Sequence, residues 1–202
     1  INANLFAGGN GTSAIVYGNT NLIMHGTLNN ITGSVFGGGN RAATGDENSD
    51  NSTSTVNIVG GTIGGNVYGG ANTSVIYGTA NVKIGYDAVG DNTLDRGNIE
   101  IVGTVFGGGE ANEEGSEVYD FEAISVTQGI NILIDGNGHG MLQMTGSIFG
   151  SGNASRSTGK TRTIYIKNYG TLAEPKKGVS IQRATDVIVD HSGLWLSGTT
   201  DS

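Results

Sequence analysis

A short glycine motif occurs five times in this chain of 202 residues. Each copy has an aromatic residue, then three small residues that are mostly glycine, and then Asn or Glu. The aromatic residues are Phe6, Phe36, Tyr68, Phe106 and Phe149, at intervals of 30, 32, 38 and 43 residues. Repeats of this length cannot bury an apolar face alone and become stable by stacking, so the motif predicts a solenoid.

Two more elements recur between the glycine motifs. One is a short segment ending in Tyr-Gly, at residues 14–18 and 74–78, which we expect to be a strand. The other alternates apolar and variable residues over four to six positions, which predicts a strand with one buried face. Its inward residues are Leu22, Met24, Val56, Ile58, Val82, Ile84, Ile99, Ile101, Ile132, Ile134, Ile164 and Ile166.

The composition narrows the fold class. The chain contains 37 glycines and is rich in Thr, Asn, Ser and Val. All of these residue types are poor helix formers, so the composition disfavours a helical fold. The chain has one proline and no cysteine, which excludes collagen, a disulfide scaffold and a cysteine nucleophile. A β-sandwich also has many short strands, but it does not repeat one strand and turn in the same order. We therefore predict one all-β domain over residues 1–202, a right-handed parallel β-helix (solenoid) of about five to seven turns with inserted polar loops.

Each part of the glycine motif has an expected structural role. The recurring aromatic residue should stack on its equivalents in neighbouring turns. The glycines allow tight corners and close backbone approach. The terminal asparagines should form side-chain ladders or cap the turns.

Two acidic loops are candidate calcium sites, and we expect neither to hold a metal. Calcium takes six to eight oxygen ligands, and neither loop has the EF-hand spacing. Residues 8–12 resemble the glycine-rich repeats that bind calcium in β-rolls, but they lack the aspartate ligand. The prediction is solvated surface loops and no cofactor. The acidic residues are Asp46, Glu47 and Asp50 in the first loop and Asp87, Asp91 and Asp95 in the second.

No catalytic residues are assigned. The histidines are His25, His139 and His191, and residues 138–140 slightly resemble the Gly-His-Gly of β-helical polygalacturonases. Those enzymes also need paired acids, which this sequence does not offer. A β-helical lyase needs a base with a metal or arginine beside it. The basic residues within 151–202 could line a groove for an acidic glycan, or they could form a solvated face.

The charge is divided unevenly along the chain. Residues 1–150 carry 3 basic and 14 acidic side chains, whereas residues 151–202 carry 7 basic and 4 acidic ones. The outward positions of the alternating strands are Ile23, Asn57, Lys83, Glu100, Leu133, Tyr165 and Trp195. An aromatic pair beside basic side chains suits a glycan or a protein surface. The predicted ligand-binding residues are Tyr165, Trp195, Lys160, Arg162 and Lys167.

The Gly-x-Val-Phe-Gly-Gly-Gly-Asn repeat resembles large cell-surface proteins of Gram-positive gut bacteria in the pectate-lyase-like, right-handed parallel β-helix superfamily. The similarity extends over roughly residues 4–198. This resemblance implies the same architecture and an extracellular, cell-surface or secreted location. The superfamily includes lyases, glycosidases, phage tailspikes and adhesins, so it leaves the activity open.

Two classes of function follow. The favoured one is a noncatalytic surface module, an adhesin or stalk segment of a longer surface protein. The alternative is a carbohydrate-active β-helix enzyme, either a polysaccharide lyase or a glycosidase. Expected partners are a glycan or host surface protein and adjoining repeats of the parent chain. The net charge of −8 disfavours nucleic acid, and no apolar run is long enough for membrane insertion.

Overall fold

The computed structural model describes residues 1–26, 29–85, 97–111, 125–135, 142–153, 156–157, 162–167, 180–181 and 187–189. Within these residues all regular secondary structure is β-strand. In chain order the strands are β1 (Leu5–Phe6), β2 (Thr20–Met24), β3 (Asn30–Ile31), β4 (Val35–Phe36), β5 (Ser52–Ile58), β6 (Gly61–Ile63), β7 (Val67–Tyr68), β8 (Gly78–Ile84), β9 (Ile99–Ile101), β10 (Val105–Phe106), β11 (Ser125–Val126), β12 (Ile130–Asp135), β13 (Leu142–Met144), β14 (Ser147–Phe149), β15 (Arg156–Ser157), β16 (Arg162–Lys167), β17 (Ser180–Ile181) and β18 (Val187–Val189).

Every pairing between these strands is parallel. The aromatic sheet has the order β1-β4-β7-β10-β14-β17. The long sheet has the order β2-β5-β8-β12-β16-β18, and the short sheet is β3-β6-β9-β13. Strands β11 and β15 form a fourth, two-stranded sheet.

From β1 to β14 the chain visits the three larger sheets in a fixed cycle: aromatic, long, short and aromatic again. Between the aromatic and long sheets it also forms two rows of single parallel bridges. One row joins residues 10, 40, 72, 110 and 153, and the other joins residues 16, 44, 76 and 126. The prediction of an all-β fold made of parallel strands is confirmed.

The strand register aligns like residues on neighbouring strands and so builds one core. Leu22, Val56, Val82, Ile132 and Ile164 follow one another across the long sheet. All twelve predicted inward residues are buried in the same apolar cluster, which confirms the alternation pattern. Full burial of one such side chain is worth roughly 1.5–3 kcal/mol, so the stacked rows are the main source of stability.

Residues 98–103 contain the predicted alternating strand, with Ile99 and Ile101 buried and Glu100 facing outward between them, but this strand lies in the short sheet rather than beside the other alternating segments. The short strands β3, β6 and β13 carry too few residues to show an alternation. The prediction of strands in the Tyr-Gly segments was wrong: they contribute single bridges at Val16 and Ile76, and only Gly78 belongs to a strand, as the first residue of β8.

The five recurring aromatic rings form one continuous stack, as predicted. Neighbouring ring centroids are 4.7, 4.6, 5.0 and 5.2 Å apart, and the ring planes differ by no more than 14°. The stack lies apart from the main core, because each ring points to the other side of its strand from the preceding Leu, Val or Ile. Parallel register makes this possible, since it places each ring directly over its equivalent on the next strand of the aromatic sheet.

The predicted asparagine ladder is also confirmed. Asn40 Nδ2 donates to Asn10 Oδ1 at 2.7 Å, and Asn72 Nδ2 donates to Asn40 Oδ1 at 2.8 Å. A second set of polar contacts precedes the aromatic strands: Asn66 Oδ1 accepts from the backbone N–H of Thr104 at 2.8 Å. These bonds satisfy polar groups at the corners, where the backbone leaves the sheets.

Candidate ligand-binding face

The outward side of the long sheet carries one continuous row of side chains. Register places Ile23, Asn57, Lys83, Leu133 and Tyr165 side by side on five consecutive strands. Neighbouring strands are about 4.7–4.9 Å apart, so the row extends over roughly 19 Å. We call it the outward row.

Exposure along the outward row agrees with the prediction except at Asn57. Ile23 is 44% exposed, and Lys83, Leu133 and Tyr165 are half-buried. Asn57 is only 2% exposed, so its predicted exposure was wrong although its register position was correct. Its short amide lies between the longer side chains of Ile23 and Lys83, which shield it from water. Its Oδ1 atom has no hydrogen-bond partner among the described residues.

A polar row runs beside the outward row. Asn21, Thr55, Asn81, Asn131 and Thr163 align in register, and Asn131 Nδ2 donates to Asn81 Oδ1 at 3.0 Å. At the β2 end, both rows border a shallow groove of about 310 Å³. Amides, hydroxyls and one ammonium group give this face both donors and acceptors for the hydroxyl groups of a ligand.

The structure separates the predicted ligand-binding residues. Tyr165 lies on the outward row. Arg162 pairs in register with Ile130, whose side chain is buried, and its Cβ lies 3.7 Å from where a Cβ on Gly150 would be. Arg162 therefore faces the opposite side of the sheet from Tyr165, because the two residues are three apart on a strand whose side chains alternate.

The remaining predicted ligand-binding residues are less fully described. Lys167 is placed by register opposite Asp135 at the end of the long strands. Lys160 and Trp195 lie outside the described residues. Among the predicted ligand-binding residues whose side chains the structure describes, only Tyr165 lies on the outward face.

The first acidic loop is tied to the body of the protein. Asp46 Oδ1 accepts from the backbone N–H of Asn48 at 2.9 Å. The Asp50 carboxylate accepts from Thr127 Oγ1 and Gln128 Nε2, which follow β11. Asp50 also has φ of 50°, a left-handed conformation that Asp and Asn tolerate better than most residues. Sequence alone missed this link, because the bonded residues are 77 and 78 positions apart.

The other candidate residues are the metal ligands of the acidic loops and the three histidines. Among the described residues, no group of three or more His, Cys, Asp or Glu side chains could hold a metal ion. His25 is exposed and follows β2. His139, His191 and the second acidic loop lie outside the described residues.

Tyr68, the buried third ring of the aromatic stack, is hydrogen-bonded to the half-buried carboxylate of Glu110. Tyr68 Oη donates to Glu110 Oε1 at 2.8 Å and accepts from Asn66 Nδ2 at 3.0 Å. Asn153 Nδ2 also reaches Glu110, at 3.4 Å. The sequence held a signal for this pair: Tyr68 is the one tyrosine in the five-ring stack, and Glu110 is the one acid in the asparagine ladder.

Burial raises the pKa of Tyr68 well above its usual value near 10; the hydrogen bond from Asn66 opposes this rise, and the Glu110 carboxylate adds to it. The folded state therefore favours the neutral phenol. This stabilisation is fully present below pH about 10, and it is lost as the pH rises above that value.

We expect the unfolding midpoint in urea to fall as the pH rises from about 10 to about 12, more steeply for the wild-type protein than for Tyr68→Phe. The variant lacks the titrating phenol and retains the ring in the stack. Parallel slopes for the two proteins would show that Tyr68 has no part in the alkaline loss of stability.

Comparison with known proteins gives no further guidance. No protein-family model, curated protein or solved structure matches this chain. Among the described residues there is no helix with the length and apolar character needed to span a membrane.

Proposed function

We propose that the three larger sheets close into a right-handed parallel β-helix. The fixed cycle of the chain through the aromatic, long and short sheets supports this, since each cycle then forms one turn of a solenoid. Right-handed crossovers occur in about 98% of parallel connections within a sheet, which supports the handedness.

The function that this architecture supports best is a noncatalytic module of an extracellular bacterial surface protein, an adhesin or stalk segment. The observation that carries the proposal is the continuity of the stacked rows. The aromatic stack and the aligned core residues run through consecutive turns without interruption. A solenoid fixed in this way acts as a stiff shaft that holds its surface residues at regular spacing and can join adjoining repeats.

The outer face of the long sheet is the proposed contact surface for a glycan or a host surface protein. Tyr165 offers a half-buried aromatic ring, a common stacking group in binding surfaces. The polar row beside it offers amides and hydroxyls to a ligand's hydroxyl groups. The positive charge of residues 151–202 favours acidic ligands at this end.

A glycan array tests this contact. We expect the wild-type protein to retain an acidic glycan that the Tyr165→Ala/Trp195→Ala double variant does not retain, with a loss of about tenfold or more in apparent affinity. Ile23→Ala is the matched control: it removes an exposed apolar side chain from the same outward row, four strands away from Tyr165.

Two results would contradict the proposal. If Ile23→Ala lost as much glycan affinity as the double variant, the contact would not lie specifically at the Tyr165 end of the outward row. Turnover of pectin, mucin or a glycosaminoglycan by the wild-type protein would favour the carbohydrate-active enzyme instead.

A further inference from the structure

Two of the larger sheets have an edge strand in the first turn of the chain with no strand on its outer side, β1 in the aromatic sheet and β2 in the long sheet. The edge strand of the short sheet, β3, already bonds Ile1 on its outer side. We call the surface formed by Ile1, Leu5, Phe6, Asn10 and Met24 the open end.

Hydrogen-bonding groups at the open end point away from the protein. Leu5 N donates to Ser34 O and Ala7 N donates to Phe36 O, at 2.8 and 3.0 Å. Alternate residues of a parallel strand direct their N–H groups to opposite neighbours, so the N–H of Phe6 points away from β4. Asn10 Oδ1 accepts from Asn40, but Asn10 Nδ2 has no acceptor in the part of the chain that the structure describes.

Apolar contacts also end at this surface. Phe6 stacks on one ring, whereas Phe36 stacks on two. Leu5 is partly buried, but its equivalent Val35 in the next turn is fully buried. A cavity of about 390 Å³ extends into the end of the core between Leu5 and Met24.

Nothing in the two open edge strands, β1 and β2, guards this surface against pairing. Natural edge strands are commonly blocked by lysine, proline or a bulge. Strands β1, β2 and β3 contain no charged residue and no proline. The open end therefore has the form of a pairing surface.

We propose that the open end binds one further turn of the same repeat, an inference that rests on the proposed solenoid. The incoming turn places its aromatic ring on Phe6, its asparagine Oδ1 opposite Asn10 Nδ2 and its apolar strand residues over Leu5 and Met24. The support is continuity with the interface that already joins successive turns, because the open end presents the surface that each later turn presents to the turn before it.

Ile1 already occupies the position that links such turns. Its nitrogen donates to Asn30 O at 2.7 Å, and Thr32 N donates to its carbonyl oxygen at 3.0 Å. An amide nitrogen can make the first of these bonds as well as the terminal amine can. A copy of residues 1–30 fused before Ile1 would therefore join with an Asn-Ile step, as residues 30 and 31 do in the native chain.

The test compares this extended protein with the original chain. We expect Tm to rise by about 5 °C or more, because stability in a solenoid grows with each stacked interface. Exchange of the Phe6 amide hydrogen should slow by about tenfold or more, since that N–H gains a carbonyl partner. A control extension of equal length has serine at two positions of the added copy only, those copied from Phe6 and Asn10. It should give a smaller rise in Tm and a smaller slowing of Phe6 amide exchange.

An unchanged Tm and an unprotected Phe6 N–H in the extended protein would overturn the proposal. So would equal effects from the native and control extensions. Self-association of the original chain that is lost in Phe6→Ser would assign the open end to a second copy instead and would also contradict it.

Discussion

Gly78→Ala is expected to abolish cooperative folding or to lower the free energy of unfolding by more than about 4 kcal/mol. Gly78 begins β8 with φ of 145°, a conformation that residues with a Cβ rarely adopt. A Cβ at this position would lie 1.8 Å from the carbonyl oxygen of Ser52, its register partner on β5. Neither strand can move away without breaking the long sheet. Urea unfolding followed by circular dichroism measures the loss.

Gly18→Ala is the matched control for this substitution. No atom lies within 4 Å of where its Cβ would be. The same change should therefore leave stability within about 1 kcal/mol of the wild-type value, or raise it slightly by restricting the unfolded chain. Similar losses for both variants would show that general glycine flexibility, rather than close contact between turns, explains the glycine content.

Phe36→Ala is expected to cost about 3–5 kcal/mol of stability. The ring is 1% exposed and stacks between Phe6 and Tyr68, so its removal leaves a cavity and breaks two ring contacts. Thermal and urea unfolding should both detect the change.

Phe6→Ala makes the same chemical change at the end of the same stack. Phe6 is partly buried and has one ring neighbour, so we expect a loss of about 1–2 kcal/mol. Equal losses at Phe6 and Phe36 would contradict a cooperative stack whose contribution depends on the number of neighbours.

The features predictable from sequence were those with a repeated pattern. Alternating residues such as Val56 and Ile58 identified the inward side of the long sheet, because strand side chains alternate with a period of two. The spacing of Phe6, Phe36 and their equivalents identified the ring stack. Both patterns persist over several turns, so local irregularity does not hide them.

The features that sequence missed depend on tertiary contacts or on strands too short for a pattern. β3 has two residues and β6 has three, which cannot show a period. Asn57 is buried by its neighbours on the adjacent strands rather than by anything next to it in sequence. The bond between Tyr68 and Glu110 joins residues 42 positions apart.

The candidate site was predictable only in part. Tyr165 reaches the outward face because alternation places it there. Arg162 was grouped with it by closeness in sequence and charge, although its odd spacing from Tyr165 places it on the inward side. The charge of a segment does not show which side of the sheet its side chains face. On a strand, residues an even number of positions apart share a face, and residues an odd number apart do not.

The proposed stiff shaft requires successive turns that stack in order and in register, and one distance measurement tests this directly. The chain has no cysteine, so spin labels can be placed at Asn21→Cys and Thr163→Cys without background labelling. These polar-row positions lie on strands separated by four consecutive parallel pairings. We expect double electron–electron resonance to give one narrow distribution of label-to-label distances centred near 20 Å, because neighbouring strands are about 4.7–4.9 Å apart. A broad distribution, or one centred beyond about 30 Å, would contradict the stacked arrangement and with it the proposed shaft.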